Sequence, residues 1–313
     1  GRIYRLSRLV PWSKNYLAAL NRFFDEHSEH KIVHVHQDCL SSVILKVTAQ
    51  HNVPVRIAHS HNANQDRNLK YPIKLWYRRS IPQYATNLFA CGKDAGDWMF
   101  SGASYQIINN AIDVAAYSYD PEKCIEMRQK LGLENELIVG HVGRFNPQKN
   151  HPFLLDIFAV LLKKEPNAVL ILVGGGEDMP KIQAKAQALG VAEHVRFLGI
   201  RSDVADLMQA MDAFVLPSRF EGLGIVYIEA QAAGLKTFAT AEVVPQEACV
   251  DESLFTYLPR EATAQQWADA MLAADTTQRE NKLEVIQSHG YDIHQEAEKL
   301  RALYLKGKAE GEK

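Results

Sequence analysis

The sequence is poor in cysteine, and it shows neither a long apolar run nor the pattern of a secretory signal peptide. Its four cysteines show no Cys-x-x-Cys or Cys/His ligand spacing; they are Cys39, Cys91, Cys124 and Cys249. Isolated thiols of this kind are typical of a reducing compartment, where they act as small buried hydrophobic residues. No stretch of ~18 apolar residues is present, and the amino terminus lacks the pattern of a signal peptide. We therefore expect a cytoplasmic protein that neither spans a membrane nor is exported.

The length of 313 residues predicts two domains, since a typical domain holds ~150 residues. Apolar residues make up 47% and charged residues 23% of the sequence, as in an ordinary globular protein. We predict an amino-terminal lobe at 1–118 and a carboxy-terminal lobe at 119–290. A terminal helix with a polar tail at 291–313 is expected to pack across the lobes.

The net charge of −2 hides an uneven distribution. Residues 1–100 hold 14 Lys and Arg against 7 Asp and Glu, a net +7, and residues 101–313 hold 21 against 30, a net −9. A basic front half predicts a polyanionic partner, and an anionic membrane surface or a phosphate-bearing substrate fits better than nucleic acid. Aromatic residues and cations interleave at 67–79, as in interfacial helices. The alternative for this segment is a solvated helix with one packed face.

Short β-branched runs alternate with segments of helical periodicity. This alternation predicts βαβ units, and hence an α/β fold with parallel sheets covered by helices on both faces. The continuously apolar runs at 169–173 and 214–216 are typical of strands buried on both faces. The predicted strands are 32–36, 55–61, 87–91, 106–109, 138–143, 168–174, 195–199, 213–217 and 236–240.

The first strand and Gly-rich turn of such a sheet are not recognisable at the start of the sequence. The chain opens with a weak strand pattern at 3–6 and a helix from about Trp12. We therefore expect an incomplete amino-terminal lobe that lacks ~50 residues of a typical unit.

The most informative segment is 220–234, which follows the strand predicted at 213–217. A strand, a glycine-containing loop and a helix succeed one another there, and the free amides at the helix start favour phosphate or sugar oxygens. Glu221 and Glu229 are eight residues apart, roughly 80° around an ideal helix, so both carboxylates can face one cleft. A solvated helix face is the alternative reading of such a pair.

This Glu-x7-Glu segment resembles the retaining GT-B glycosyltransferases of family 4, the glycosyl transferases group 1, and especially those that build capsule and exopolysaccharide. Three further segments match in order: a Gly-Arg…Lys signature at 141–150, then 173–177 and 195–199. The resemblance covers nearly the whole chain and implies two Rossmann-like lobes with an inter-lobe cleft. It also implies transfer of a sugar from a nucleotide-sugar, by family habit a UDP-sugar, to a glycan or lipid-linked acceptor with retention of configuration.

The resemblance assigns roles to individual residues. The catalytic candidates are His61, Arg144, Lys149 and Glu221. The donor-binding candidates are Gly143, Arg144, Lys149, Gly199, Ile200, Arg201, Glu221, Gly222, Leu223, Gly224 and Glu229, with His59 and Asn62 as further candidates. By this analogy Glu229 holds the ribose, Glu221 holds the donor sugar, and the base lies against the backbone at 199–201.

The departing nucleoside diphosphate gains negative charge, which explains the need for cations. Arg144 and Lys149 are placed to stabilise it, and one such donor in a water-excluded site lowers a barrier by ~3 kcal/mol. We recognise no Asp-x-Asp motif or histidine cluster that would hold a metal. No metal and no cofactor are therefore predicted, and the nucleotide-sugar is a substrate.

Histidines stand at the end of the strand predicted at 55–61, where α/β sheets place their ligands. The resemblance favours His61 over His59 as the residue that supports the donor sugar. His34 and His36 alternate on another strand, and we interpret them as structural.

Three other classes of protein remain as alternatives. Gly174, Gly175 and Gly176 suggest an NAD-dependent oxidoreductase, but the third glycine of Gly-x-Gly-x-x-Gly would fall at Met179. An epimerase or phosphorylase would use the same fold. A non-catalytic nucleotide-binding fragment would fit the missing loop.

Overall fold

A computed structural model describes residues 1–61 and 71–311, with side chains described as far as residue 306. The chain divides into two compact units. Unit 1 comprises Gly1–Asn110 and His294–Lys313, and unit 2 comprises Ala111–Ile293. The division after Asn110 lies earlier in the chain than the one predicted after residue 118. Packing of the terminal helix across both lobes stays a prediction.

Unit 1 is built on a four-stranded sheet in the order β1-β2-β3-β4, and all its strand pairs are parallel. Its strands are β1 (Ile32–Val35), β2 (Val55–Ser60), β3 (Asn87–Ala90) and β4 (Gln106–Ile107). Its helices are α1 (Lys14–Glu26), α2 (Ser41–Gln50), α3 (Tyr71–Arg79), α4 (Ile81–Tyr84) and α5 (Lys93–Phe100).

Helices cover both faces of this sheet. On one face Val35 and Ala58 pack with residues of α5. On the other face Val55, Ile57 and Phe89 pack against Leu300, Leu303 and Tyr304 of the terminal helix. Odd and even positions of a strand point to opposite faces, which explains why neighbouring residues of β2 join different clusters.

Unit 2 contains a six-stranded parallel sheet in the order β10-β9-β8-β5-β6-β7. Its strands are β5 (Leu137–Val142), β6 (Ala168–Val173), β7 (Val195–Gly199), β8 (Ala213–Leu216), β9 (Lys236–Thr240) and β10 (Phe255–Leu258). The helices are α6 (Val114–Tyr117), α7 (Pro121–Leu131), α8 (His151–Lys164), α9 (Met179–Ala188), α10 (Val204–Ala210), α11 (Ile225–Ala232), α12 (Ala264–Ala273) and α13 (Leu283–Ser288). The terminal helix, α14 (Ile293–Gly311), begins at the last residue of unit 2.

The interior strand β6 is buried at every position, as its apolar run predicts. Leu170 and Leu172 face a cluster that includes residues of α8 and α12. Val169, Ile171 and Val173 face the opposite cluster, which includes residues of α7, α10 and α11. Apolar layers therefore cover both faces of the sheet, and the polar loops lie at the ends of its strands.

All nine strands predicted from the sequence are present, with ends that differ by at most two residues. The strand at 3–6 was a wrong prediction: residues 1–10 form neither helix nor strand, and Ile3 is 88% exposed. Strand β10 was not predicted. Within the described ranges, no helix is both long and apolar enough to cross a bilayer.

Candidate functional site

The order of the strands in unit 2 creates a crevice at one edge of its sheet. After β5 the chain builds β6 and β7 on one side, and it then crosses to β8 on the other side of β5. The loops after β5 and β8 therefore leave adjacent strands in opposite directions, which is where open α/β sheets bind ligands. Arg144 and Lys149 lie in the loop after β5, and Glu221 lies in the loop after β8.

An ion pair joins these two loops. Nζ of Lys149 lies 2.7 Å from Oε1 of Glu221, and the two side chains are only 15% and 4% exposed. The Ser218 hydroxyl donates to the same oxygen at 2.6 Å. Nε2 of Gln148 lies 3.4 Å from Oε2 of Glu221. Because each carboxylate oxygen has two lone pairs, Oε2 keeps the capacity to accept a further hydrogen bond.

The loop after β5 is held rigidly by its own residues. The side chain of Asn146 accepts a hydrogen bond from the backbone N–H of Lys149 at 3.2 Å, which closes the 3-10 turn Pro147–Lys149. The backbone N–H of Arg219 donates to the carbonyl of Gln148 at 2.8 Å and ties this turn to the neighbouring loop. Lys149 is thus positioned before any ligand arrives.

Glycines allow the backbones of three loops to touch. The Gly143 N–H donates to Val173 at 2.9 Å, and the Gly174 N–H donates to Gly199 at 2.8 Å. Gly174 has φ +137°, and a Cβ atom there would lie 2.1 Å from the Gly143 carbonyl oxygen. The run of glycines at 174–176 therefore has a packing role, and no dinucleotide motif is needed to explain it.

The two predicted arginines have different surroundings. Arg144 is exposed, and it forms no ion pair with any residue in the described part of the chain. Arg201 is held by Asp203, at 2.8 Å through Nε and 2.5 Å through Nη2. Its neighbour Ile200 is 86% exposed beside Gly199. Arg144 is therefore the arginine whose charge is open to an anion.

The remaining loop residues lead directly into α11. Gly222 and Leu223 are partly buried, and Gly224, with φ +71°, caps the helix. The Tyr227 hydroxyl donates to the carbonyl of Leu216 at 3.0 Å and fixes the first turn of α11 to the end of β8. The Tyr227 N–H donates to the carbonyl of Gly224 at 2.9 Å, whereas the amides of Ile225 and Val226 have no partner within the helix and are available to an anion or a sugar oxygen.

Glu229 lies within α11, and no cation pairs with it among the described residues. Burial raises the pKa of its carboxyl group, and a hydrogen bond from the Tyr117 hydroxyl opposes this effect. Burial and the neighbouring Glu229 raise the pKa of Tyr117 in turn. Because Glu221 precedes the start of α11, the helical angle expected between the two glutamates does not describe their arrangement.

A cavity of about 360 Å³ adjoins the loop after β8. Arg219 and Arg260 bring two positive charges to its wall, which suits a phosphate-bearing ligand. The lining residues are Asn150, Phe153, Pro217, Ser218, Arg219, Thr240, Arg260 and Trp267.

Comparison with known proteins identifies the family. The model of the glycosyl transferases group 1 family matches residues 125–284, a stretch that contains Arg144, Lys149, Glu221 and Glu229. The chain is 31% identical over 291 residues to "Putative glycosyltransferase EpsF" of Bacillus subtilis (strain 168), a match over 89% of this chain and 76% of that protein. The chain belongs to the glycosyl transferases group 1 family.

One solved structure and one further curated protein are also similar to this glycosyltransferase. The structure of Anabaena HepE in complex with UDP superposes with a TM-score of 0.76 at 20% identity, over 92% of this chain and 82% of that chain. A GDP-mannose-dependent phosphatidylinositol monomannoside mannosyltransferase of Mycolicibacterium smegmatis is 34% identical over 146 residues, or 44% of this chain and 38% of that protein. The predicted α/β fold of GT-B type is confirmed.

Unit 1 of the glycosyltransferase brings four histidines together. His34 and His36 stack at 4.2 Å between ring centroids, and His59 and His61 lie at the same separation. Nε2 of His61 lies 2.7 Å from Nδ1 of His36, and Nδ1 of His61 lies 3.1 Å from Oδ1 of Asn110. The predicted catalytic residue His61 is therefore engaged through both ring nitrogens. Asn62 lies outside the described residues.

This cluster differs from what the sequence suggested. A histidine cluster was not expected, yet one imidazole nitrogen from each of His34, His36 and His59 lies within 4.8 Å of the others. Burial, with some contribution from the neighbouring histidines, lowers the pKa of His34 to about 4 and that of His59 to about 3. Both imidazoles are therefore neutral at pH 7.

The other marked surface of unit 1 surrounds α3, which begins at Tyr71; residues 67–70 of the predicted amphipathic segment lie outside the description. Trp76 is 66% exposed, and Lys46 and Arg79 are exposed beside it. These residues border a cavity of about 700 Å³. Arg78 points inward, because its Nη1 donates to the carbonyl of Trp98 at 2.5 Å. We call the outer set Lys46, Trp76 and Arg79 the basic aromatic surface.

Sequence reasoning missed several residues that position the site. Ser218 and Gln148 hold Glu221, and Tyr117 holds Glu229. Ser218 follows a strand end and precedes Glu221 by three residues, and this short spacing could have indicated a contact between the two side chains. Tyr117 ends a four-residue helix in a distant part of the sequence, and no local pattern indicates that it contacts Glu229.

Proposed function

We propose that this glycosyltransferase moves a sugar from a UDP-sugar to a glycan or lipid-linked acceptor with retention of configuration, in surface polysaccharide biosynthesis. The observation that carries the proposal is the buried pair of Lys149 and Glu221 beside the open cation Arg144, at the crevice between the β5 and β8 loops. A cation for the diphosphate and a carboxylate for the sugar stand side by side there.

The leaving group determines the role of the cations. As the bond to the sugar breaks, the diphosphate gains negative charge, and Arg144 and Lys149 stabilise it with ~3 kcal/mol for each well-placed donor. The free amides at the start of α11 add partial positive charge. Glu221 accepts hydrogen bonds from sugar hydroxyls through Oε2, while Lys149 and Ser218 hold Oε1 in place.

Glu229 accepts hydrogen bonds from the ribose hydroxyls. Its carboxylate is only partly solvated and lacks a cation, so binding of two hydroxyl donors relieves an incompletely satisfied charge. Tyr117 orients it as a positioning residue. The backbone and exposed side chain at Gly199 and Ile200 offer an apolar edge for the base.

Retention follows if the leaving phosphate takes the proton of the acceptor on the same face of the sugar. The transition state then has oxocarbenium character, as in glycoside chemistry. The protein supplies no nucleophile, and the two cations replace a divalent metal at the diphosphate. The anomeric configuration of the product, read by NMR at early times, tests this part of the proposal directly.

The UDP complex of HepE supports UDP as the nucleotide, and the resemblance of the Glu-x7-Glu segment to enzymes that build capsule and exopolysaccharide supports the polysaccharide role. His61 is proposed to serve the donor sugar from unit 1. We further propose that the protein works at the cytoplasmic membrane face, with the basic aromatic surface against anionic lipid.

The first test is calorimetric titration of the full chain with UDP, GDP and ADP in the presence of EDTA. UDP should bind with one site, and Lys149→Ala should weaken UDP by about 1.5–3 kcal/mol and uridine by much less, because a charged hydrogen bond to the diphosphate is lost. Lys181→Ala is the matched control, since Lys181 is 80% exposed and pairs only with Asp178 in the described structure.

Hydrolysis of the bound UDP-sugar then separates transfer chemistry from binding alone. Slow hydrolysis that Lys149→Ala and Glu221→Gln abolish supports the transferase. UDP binding without hydrolysis or transfer to any acceptor would indicate a catalytically impaired nucleotide-binding fragment. Equal UDP affinity in Lys149→Ala and Lys181→Ala would remove the assigned donor site.

A further inference from the structure

We propose that His34, His36 and His59 form a binding site for a first-row transition metal ion of the Zn²⁺ type. The site lies wholly within unit 1, and it does not depend on the donor residues of unit 2. It shares with the proposed function only His61, which hydrogen-bonds His36, and metal binding measured without UDP tests it separately.

Strand register brings these histidines together. In the parallel pair of β1 and β2, His34 lies opposite Ile57, and Val35 lies opposite Ala58. Continuation of this register places His36 opposite His59. Because alternate residues of a strand share a face, all three imidazoles project from the same side of the sheet. One nitrogen of each lies within 4.8 Å of the other two.

A hydrogen-bond relay sets the tautomer of His36. Oδ1 of Asn110 can only accept, so Nδ1 of His61 donates to it across 3.1 Å. Nε2 of His61 then accepts from Nδ1 of His36 across 2.7 Å, since one of two hydrogen-bonded ring nitrogens donates and the other accepts. Nε2 of His36 is left with its lone pair, and this is the form of histidine that binds a metal.

His34 is oriented in the same way by a different partner. Its Nδ1 lies 2.6 Å from the hydroxyl of Tyr304 on α14. Its Nε2 is buried and has no hydrogen-bond partner among the described residues. Outer partners of this kind commonly fix the ring of a ligating histidine and direct its second nitrogen to the ion.

His59 supplies the independent observation. Its side chain is 7% exposed, and neither ring nitrogen finds a hydrogen-bond partner in the described part of the chain. Buried polar atoms are almost always satisfied, and an unsatisfied one calls for a missing water, ion or ligand. Three unsatisfied nitrogens, two of His59 and one of His34, face a group of neutral imidazoles. A metal ion would satisfy at least two of them.

The donor set selects the kind of metal. Neutral imidazoles suit Zn²⁺, Cu²⁺, Ni²⁺ and Co²⁺ and are poor ligands for Mg²⁺ or Ca²⁺. Around a tetrahedral Zn²⁺ with bonds of about 2.0–2.1 Å, ligand nitrogens lie roughly 3.4 Å apart. The three rings must therefore close by up to about 1.4 Å, which rotation of the imidazoles can supply. His36 is exposed, so the ion has a route from solvent and a fourth position for water.

Cobalt is the most informative probe, because its visible absorption reports ligand type and geometry without any enzymatic assay. The full chain, prepared without a polyhistidine tag and dialysed against EDTA, should take up one Co²⁺ with a tetrahedral or five-coordinate spectrum that Zn²⁺ displaces. His36→Ala should weaken Co²⁺ at least 100-fold. Tyr304→Phe, which removes an outer partner, should weaken it about 10-fold.

The control is the second group of metal-ligand side chains, His27, Glu29 and His30, which is more exposed. His30→Ala should leave Co²⁺ affinity and spectrum unchanged. No binding by the wild-type chain, equal affinity in His36→Ala, or loss of binding in His30→Ala alone would overturn the proposal. Since His59→Gln risks misfolding at a buried position, the exposed His36 is the deciding variant. A circular-dichroism spectrum and a thermal unfolding curve of metal-free His36→Ala that match those of the wild-type chain show that any loss of metal binding is not a loss of the fold.

Discussion

Glu221 and Glu229 belong to one sequence motif, but their surroundings give them different properties. Glu221 is almost fully buried and is matched by the ammonium group of Lys149 and the hydroxyl of Ser218. Within the described part of the chain, Glu229 has the phenol of Tyr117 as its partner and no cation, and burial raises the pKa of its carboxyl group. In water-poor surroundings a paired carboxylate is stabilised, and one without a cation is costly to keep charged. The raised pKa of Glu229 is therefore expected to make stability depend on pH.

Glu229→Gln should stabilise the free protein at pH 7. A folded-state pKa above the unfolded value of 4.5 means that the contribution of Glu229 to stability is fully present below pH 4.5 and is lost as pH rises through the folded value. Urea unfolding at pH 4 and pH 7 should show a gap between wild type and Glu229→Gln only at the higher pH. Tyr117→Phe should lower stability at pH 7, since it removes the donor that favours the charged form.

Glu134→Gln is the control for this measurement, because Glu134 is exposed in the same unit. A gap of the same size for Glu134→Gln, or a gap that persists at pH 4, would contradict the assigned environment of Glu229. The same Glu229→Gln protein should bind UDP more weakly, by about 1–3 kcal/mol, through loss of charged hydrogen bonds to the ribose. Stability and affinity thus move in opposite directions, as is common at binding sites.

At the scale of elements, three loops at the ends of β5, β6 and β7 act as one rigid body. Backbone hydrogen bonds of 2.8–3.0 Å join them at Gly143, Gly174 and Phe145. Their close approach requires residues without a Cβ atom. The positions of Arg144 and Lys149 therefore depend on a glycine in another loop that does not itself contact a ligand in our proposal.

Gly174→Ala should destabilise unit 2 much more than Gly190→Ala. Both glycines have positive φ, but a Cβ at Gly190 meets nothing within 4 Å, while one at Gly174 would lie 2.1 Å from a carbonyl oxygen. Backbone strain alone costs ~1 kcal/mol, and the clash should add about 1–3 kcal/mol at Gly174. Thermal unfolding of the two variants measures the difference. Equal losses would show that the loops can separate freely.

At the scale of the whole molecule, charge and exposed aromatic residues are distributed unevenly. The first 100 residues carry the net positive charge, and the basic aromatic surface of Lys46, Trp76 and Arg79 lies within that part. Exposed tryptophan beside cations suits the polar boundary of an anionic bilayer. The described residues contain no helix able to span a bilayer. Contact through the basic aromatic surface is the mode of association that we propose.

The full chain should therefore sediment with vesicles of phosphatidylglycerol and much less with phosphatidylcholine. Lys46→Ala and Arg79→Ala should each weaken this partitioning by about 1 kcal/mol, and added salt should weaken it further. Trp76→Ser should reduce it as well. Ile125→Ser provides the control, since Ile125 is equally exposed, at 59%, in unit 2. Equal partitioning to phosphatidylglycerol and phosphatidylcholine vesicles would exclude this surface as an electrostatic contact.

The sequence alone determined the local elements and the ligand-bearing loops. Nine strands were predicted because alternation and apolar runs follow from the geometry of a single strand. The pattern at 3–6 failed because no neighbouring strand pairs with it. Strand β10 was not predicted because only its first and last residues, Phe255 and Leu258, are buried, which gives neither alternation nor a continuous apolar run. The residues at 143–149 and 221–229 were recognisable because each set lies within one short segment.

The contacts between side chains that are distant in sequence depend on the tertiary structure. The register of β1 against β2 turned two separate His-x-His patterns into a single four-histidine cluster, although one pattern had been interpreted as structural. Packing of α6 beside α11 brings the Tyr117 hydroxyl into hydrogen-bond contact with Glu229. The order of the strands brings Lys149 and Glu221 together as an ion pair. Periodicity is a property of neighbouring residues along the chain. Strand register and helix packing depend on segments far apart in sequence, so these pairings were not visible before the fold was known.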